Sequence, residues 1–315
     1  MPQTKENLRV IFMGTPSLSA EILRSLLDAG YNIVGVFTQP DKKVGRKQMI
    51  EKSPVKMLAE EKNTPIFTPN RLDDIAIEKI RELKPDLIIL IAYGKILPAA
   101  VLELPKFGAI NIHPSLLPKF RGPSPIQNAL LNGEQRTGTT IMKMDAGIDT
   151  GDILAQQKTE ISSDETYLEL ANKLLQLSRE LLLEILPKWI AGEINPQKQN
   201  DSEASYCQMI TKNDGKIDWN DSAENIYNKY RAFMVWPGIF TSWNSQRIKL
   251  NRIILAKGNF ESYKNGEIFR IDDTICIKAG ANAIGLMEIQ LEGKPGAKIL
   301  DFINGHQNFI GSILN

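Results

Sequence analysis

The sequence predicts an α/β protein: an open, mainly parallel sheet with helices on both faces, followed by a small β-barrel of the OB type. Three observations carry that expectation. Up to Ala92, strand-like apolar runs alternate with helical patterns in the order β-α-β-α-β-α-β. Residues 195–205 (NPQKQNDSEAS) are then polar and poor in apolar side chains, which marks a boundary. Beyond it, short alternating strands recur with turn signals between them.

The elements follow in order. Leu8 to Met13 (LRVIFM) is a continuous apolar run suited to a buried parallel strand, closed by Gly14. Ser17 is expected to cap the next helix, which carries Leu18, Ile22 and Leu26 and stops at Gly30. Tyr31 to Phe37 reads as the second strand. Ser53-Pro54, an N-cap followed by proline at the first helical position, opens a helix through Glu61. A short strand at 65–69, a helix at 72–83 and the very apolar strand Asp86 to Ala92 (DLIILIA) complete the alternation. Gly108 to Ile112 reads as one more strand, and 153–157 as another. Helical runs are expected at 166–177 and 180–190, and a further helix at 223–233. Five strands at 239–243, 247–256, 267–271, 274–279 and 284–291 form the expected barrel, with an amphipathic piece at 297–303. The expected division is residues 1–206 and 207–315, with a linker at about 193–206.

Composition narrows the function classes. Lys and Arg number 38 against 37 Asp and Glu, so no global charge attracts nucleic acid or membrane, and a polyanion needs a local patch. Cys207 and Cys276 show no CxxC spacing and read as packing residues in a reduced setting. With only His113 and His306, a structural zinc site has few ligands to draw on; His306 reads as a surface residue. The polar start MPQTKENL resembles neither a signal peptide nor a membrane span, and the expected location is the cytoplasm. The first strand-to-helix turn, Gly14-Thr15-Pro16-Ser17, has one glycine where a dinucleotide fingerprint has three, and there is no GxxxxGK[ST].

The chemistry concentrates between Phe107 and Asp152. Asn111, His113 and Ser115 occupy every second position and share one side if the chain stays extended. Four prolines between Pro114 and Pro125 stiffen the loop that follows. The run closes on a Gly/Asp-rich turn carrying Asp145, Asp149 and Asp152, of which at least one is expected beside the imidazole; spacing does not select which. An amide, an imidazole and a carboxylate at strand ends can hold an oxyanion and move a proton, so the stretch reads as a group-transfer site. The second feature is the long loop from Asp41 to Lys56. Lys42, Lys43, Arg46, Lys47, Lys52 and Lys56 stand against Asp41 and Glu51, a net of +4 that would suit a phosphate backbone.

On these residues the chain resembles the folate-dependent formyltransferase family. The resemblance is carried by Asn111-Ile112-His113, Ser115-Leu116-Leu117-Pro118 with Arg121-Gly122, and Gly147-Ile148-Asp149-Thr150-Gly151. Phe37-Thr38-Gln39-Pro40-Asp41, the basic loop with Gly45-Arg46, Ser53-Pro54-Val55-Lys56 and the appended barrel point to the branch acting on charged initiator tRNA. The resemblance implies a Rossmann-like parallel or mixed sheet, with Asn111, His113 and Asp149 as the catalytic three. It implies that Ser115, Leu116, Leu117 and Pro118 lie against the donor, 10-formyltetrahydrofolate, and that no metal is needed. It further implies tRNA contacts from Lys42, Lys43, Arg46 and Lys47, an acceptor amine on initiator methionyl-tRNA, and a monomer with no membrane partner. Two alternatives are a relative formylating a small amine, such as an amino sugar nucleotide, and a non-catalytic RNA-binding module. The latter leaves Asn111, His113 and Asp149 without a purpose.

Overall fold

The computed structural model describes residues 4–44 and 48–315. The chain forms two compact units. One comprises the chain up to Pro125 with Arg136–Glu160 and Asn172–Gln208; the other comprises Ile126–Gln135, Ile161–Ala171 and Met209–Asn315.

Up to residue 190 the elements run β1 (Val10–Gly14), α1 (Ser17–Asp28), β2 (Ile33–Phe37), β3 (Lys42–Val44), β4 (Met49–Glu51), α2 (Pro54–Glu61) and β5 (Ile66–Phe67). They continue with α3 (Asp74–Glu82), β6 (Leu87–Ile91), α4 (Ala99–Leu102), β7 (Ala109–His113), α5 (Pro125–Leu131), β8 (Arg136–Lys143), β9 (Ile153–Glu160) and α6 (Tyr167–Ile190). Seven of the strands form one sheet in the order β5-β2-β1-β6-β7-β8-β9. The pairs from β5 through β7 are parallel, whereas β7-β8 and β8-β9 are antiparallel. Strand order reverses direction between β1 and β6, which is where the rule for open α/β sheets expects a ligand crevice beyond the carboxyl ends of the strands. β7 lies one strand away and ends on His113.

The all-apolar strands are explained by burial on both faces. Along β1, Val10 and Phe12 pack in a core with α1, α2 and α6, while Ile11 and Met13 pack in a second core with Ile80 of α3 and Val101 of α4. Helices therefore cover both sides of the sheet, as the alternation predicts.

Several expectations need correction. Ser17 is not a cap: Pro16 occupies the N-cap position, its carbonyl already accepts from the Ser19 and Ala20 amides, and no side chain caps the end. The two helical runs after residue 166 are one 24-residue helix, α6, which carries Pro187 in its last turn. The prolines after His113 hide α5, and the Gly138-containing segment hides β8, because neither shows a clean period; β8 pairs with both β7 and β9 and makes the sheet mixed. Part of the basic loop is the hairpin β3-β4. Ser53 caps α2 as expected, accepting from the Lys56 amide at 3.0 Å.

The second unit carries α7 (Ala223–Phe233), β10 (Ile239–Trp243), β11 (Gln246–Ala256), β12 (Ile268–Ile271), β13 (Thr274–Lys278), β14 (Ala283–Leu291), β15 (Ala297–Lys298) and α8 (Ile299–Gly305). The strands order as β10-β11-β14-β13-β12, with β15 on β14, all antiparallel. Residues 311–315 run along the two outer strands. The Ile268 amide donates to the Ser312 carbonyl, the Gly311 amide to the Ile268 carbonyl and the Leu314 amide to the Gly266 carbonyl, while Ser242 and Asn315 exchange a pair, all main-chain hydrogen bonds of 2.8–3.1 Å. That segment turns an open antiparallel sheet into the expected barrel-like closure by satisfying both edges. Trp243 meets Phe302 and Phe309 edge to face, and His306 stacks on Phe302 with ring centroids 4.1 Å apart. His306 is therefore half-buried in an aromatic cluster and not a plain surface residue. Phe309 is fully buried among these rings. Phe309→Ala is expected to destabilise this unit by about 3–5 kcal/mol, read as a lower midpoint in denaturant unfolding. A midpoint within error of the parent would show that the cluster does not hold the unit together.

No helix among the described residues is long and apolar enough to cross a membrane.

Candidate active site

β7 delivers the two polar groups that an otherwise apolar strand cannot explain. Asn111 and His113 are 7% and 4% exposed, two residues apart on one face of the strand at which the parallel and antiparallel parts of the sheet meet. The His113 ring is fixed first by the backbone: its Nε2 lies 2.9 Å from the Phe120 carbonyl oxygen. A carbonyl only accepts, so the proton sits on Nε2 and Nδ1 faces Asp149. Asp149 Oδ2 is 3.6 Å from Nδ1, close enough for an ion pair when the ring is protonated but beyond a normal hydrogen bond.

Asp149 makes its hydrogen bonds elsewhere. Its Oδ1 accepts from Asn111 Nδ2 at 3.2 Å, and its Oδ2 accepts from the Gly122 amide at 2.8 Å. Its backbone is left-handed, φ +54°, which aims the carboxylate back across the turn. The other two acids of the turn do different work. Asp145 Oδ1 accepts from the Gly147 amide and the Thr150 hydroxyl, which builds the turn itself, and the Asp152 carbonyl accepts from Lys143 N in the β8-β9 connection. The structure thus selects Asp149 among the three.

The loop from Ser115 to Pro118 is held by its own Ser115 hydroxyl and by side chains of β8 and β9. The Ser115 hydroxyl donates to the Lys119 carbonyl (2.7 Å), Thr140 Oγ1 donates to the Ser115 carbonyl (2.6 Å) and accepts from the Leu117 amide (3.1 Å), and Gln156 Nε2 donates to the Leu117 carbonyl (2.8 Å). Ser115 and Leu117 are buried in this scaffolding, while Leu116 and Pro118 keep part of their surface. Of the four residues expected against the donor, these two present apolar area. The carboxyl ends of β1, β2 and β6 are also tied together. Thr15 Oγ1 and Gln39 Nε2 both donate to the Tyr93 carbonyl, at 3.1 and 3.0 Å. Burial pushes the Tyr93 phenol up to about 12, so it stays neutral.

Residues without a periodic signal in the sequence complete the site. Phe120 contributes only its carbonyl. Cys207 is buried beside it, with its thiol directed at the Phe120 and Arg121 carbonyls, and burial pushes that thiol up, away from nucleophilic use. Arg121 is 1% exposed and bonds Gln199, Asp201 and Tyr206. The Arg121-Gly122 pair was the only visible trace of this network.

In the basic loop, Lys56 pairs with Asp41 and Lys52 with Glu60, which removes two of its charges from a free patch. Lys42 and Lys43 are exposed on β3, and Arg46 and Lys47 lie outside the described residues. Lys95 carries an ammonium whose pKa is lowered, first by partial burial and then by the charge of Lys42.

An amide donor, an imidazole and an acid at the carboxyl edge of a Rossmann-like sheet define a group-transfer protein. Residues 7–186 match the family described as formyl transferase and residues 209–307 its C-terminal domain. The first match alone spans more than half of the chain, which belongs to the formyl transferase family. Among curated relatives, the methionyl-tRNA formyltransferase of Caldicellulosiruptor saccharolyticus is 43% identical over 97% of this chain and 99% of its own length. That of Alkaliphilus oremlandii is 41% identical over 98% and 99%. Among solved structures, the N-formyltransferase of Helicobacter canadensis, in complex with folinic acid and dTDP-3-aminofucose, has a TM-score of 0.68 at 23% identity, covering 89% of this chain and 98% of its own. HypX of Aquifex aeolicus, in complex with tetrahydrofolic acid, has a TM-score of 0.65 at 18% identity over 96% of this chain. This chain spans about half the length of HypX.

Proposed function

We propose that the chain transfers the formyl group of 10-formyltetrahydrofolate to the α-amino group of methionine on initiator tRNA. The observation that carries this reading is the convergence of Asn111, His113 and Asp149 in a chain so similar, end to end, to methionyl-tRNA formyltransferases. In the reaction the C–N bond to the donor breaks, an amide C–N bond forms, and the proton lost by the attacking amine ends on the leaving nitrogen. An α-amine has a pKa near 8, so about a tenth is neutral at pH 7 and needs little activation. The work left to the protein is to stabilise the developing oxyanion and to carry that proton.

Asn111 spends one N–H on Asp149 and has a second for the oxyanion. His113, with Nε2 held by Phe120, presents Nδ1 toward Asp149 as the group that takes or returns a proton. Leu116 and Pro118 would meet the apolar part of the folate, with Ser115 and Leu117 shaping the loop beneath. Lys42, Lys43, Arg46 and Lys47 would bind the tRNA backbone. Residues 1–206 carry the chemistry in this reading, and 207–315 grip the RNA. The protein works in the cytoplasm as a monomer.

Incubation with 10-formyltetrahydrofolate and charged initiator tRNA should yield formylmethionine. A protein that formylates a small amine but not methionyl-tRNA would defeat the proposal. In Lys42→Glu/Lys43→Glu, KM for methionyl-tRNA should rise while KM for the folate donor holds. The slope of log(kcat/KM) against log salt should fall by about one to two, as expected for lost phosphate contacts. An unchanged slope would remove the hairpin from the RNA interface.

A further inference from the structure

Gln199 lies in the polar stretch between the two family matches, in residues 187–208, yet it reaches the centre of the site. We propose that Arg121 and Gln199 are positioning residues for Asp149: the guanidinium orients the Gln199 amide, and that amide holds the backbone of the turn that carries Asp149. The inference rests on the reading of Asp149 as part of the transfer site.

Donor and acceptor chemistry fixes the arrangement. Arg121 Nε and Nη2 both donate to Gln199 Oε1, at 3.1 and 2.9 Å; Nη2 also donates to Asp201 Oδ1 at 2.8 Å and Nη1 to the Tyr206 hydroxyl at 3.1 Å. A guanidinium only donates, so the amide oxygen must face it and the amide nitrogen must face away. There Nε2 donates to the Asp149 carbonyl at 2.8 Å and the Gly151 carbonyl at 2.7 Å. Both N–H bonds of Gln199 are thereby spent on the turn, and neither orientation nor register is left to choose.

The turn needs such a grip. A non-glycine residue at φ +54° persists only where its surroundings over-determine it. The residue after Arg121 supplies the second hold, since the Gly122 amide donates to the Asp149 carboxylate. The Arg121 main chain is itself fixed, donating to the Ser205 carbonyl and accepting from the Cys207 amide, both at 2.8 Å. Asp149 is thus held by its side chain through Gly122 and by its main chain through Gln199. A buried guanidinium is a costly way to fill space, and packing alone would be served by an apolar side chain.

The test is Gln199→Glu, which keeps size and an acceptor for Arg121 but sets a carboxylate oxygen against two carbonyl oxygens. In the formylation assay kcat should fall about tenfold or more. KM for folate donor and methionyl-tRNA should stay within about twofold; the thermal midpoint should fall, because two buried hydrogen bonds are lost, but unfolding should remain a single cooperative transition. Combined with Asp149→Asn, the losses should not multiply, because both changes act on the same carboxylate. An unchanged kcat in Gln199→Glu, alongside a crippled Asp149→Asn, overturns the clamp and leaves the transfer site standing. Full activity in Asp149→Asn overturns both. Losses that multiply in the double variant place the effect of Gln199 elsewhere and also overturn it. Should Gln199→Glu fail to fold, Gln199→Met removes the donors without adding charge and gives the same comparison; loss of the fold in both would reduce Gln199 to a folding residue.

Discussion

Asn111→Ala is expected to lower kcat about a hundred- to a thousandfold while leaving a folded protein. Loss of one preorganised oxyanion donor typically costs about 2.7–4 kcal/mol of transition-state stabilisation. The folding cost is smaller. Among the described residues Asn111 makes one side-chain hydrogen bond, to Asp149 Oδ1, and a net bond of that kind contributes about 1 kcal/mol. Asp149 keeps the Gly122 amide as a partner, so the carboxylate is not orphaned. His113→Ala should be of similar size, since a positioned acid-base group contributes about a hundred- to ten-thousandfold. The measurement is single-turnover formylation with saturating donor and acceptor, with the unfolding midpoint recorded beside it. Parent-like rates in either variant would remove β7 from the chemistry.

Gly122→Ala should damage both stability and rate, and the comparison with Gly30→Ala shows why. Both glycines have positive φ, +115° and +81°. At Gly30 a Cβ would meet nothing within 4 Å, so the cost is the backbone strain alone, about 1 kcal/mol. At Gly122 a Cβ would come within 2.3 Å of the Cys207 carbonyl oxygen. Backbone must move there, and the amide that moves is the one donating to Asp149. A loss of about 2–4 kcal/mol in unfolding free energy is expected, within the range for strain and clash at a special backbone position. The rate should fall with it, whereas Gly30→Ala should keep the parental kcat. Equal effects in the two variants would mean that the approach of Cys207 to Gly122 is not what constrains the residue.

How much of the site could be read in advance follows from range along the chain. Asn111 and His113 are legible because a two-residue spacing on a short apolar strand fixes their common face. Ser115 shares the spacing but not the face's purpose, since the chain leaves the strand at His113 and the hydroxyl turns in to close the loop on Lys119. Asp149 could not be told from Asp145 and Asp152, because only the path of the turn decides which carboxylate points inward. β8 and α5 were hidden for a local reason: their side chains are sorted by what they pack against and carry no period of their own. The polar composition of residues 195–205 suggests a boundary but not that part of the stretch also binds Arg121 and the Asp149 turn.

The sequence by itself determined the alternation of strands and helices, the β7 pair, the rigid proline loop and the excess of positive charge before α2, because each is written in neighbouring residues. Tertiary structure alone decided which acid faces the imidazole, that the Phe120 carbonyl fixes the ring's tautomer, and that Gln199 and Arg121 hold the turn. Those contacts join residues 7 to 80 positions apart, and hydrogen-bond complementarity at that range leaves no local pattern to read.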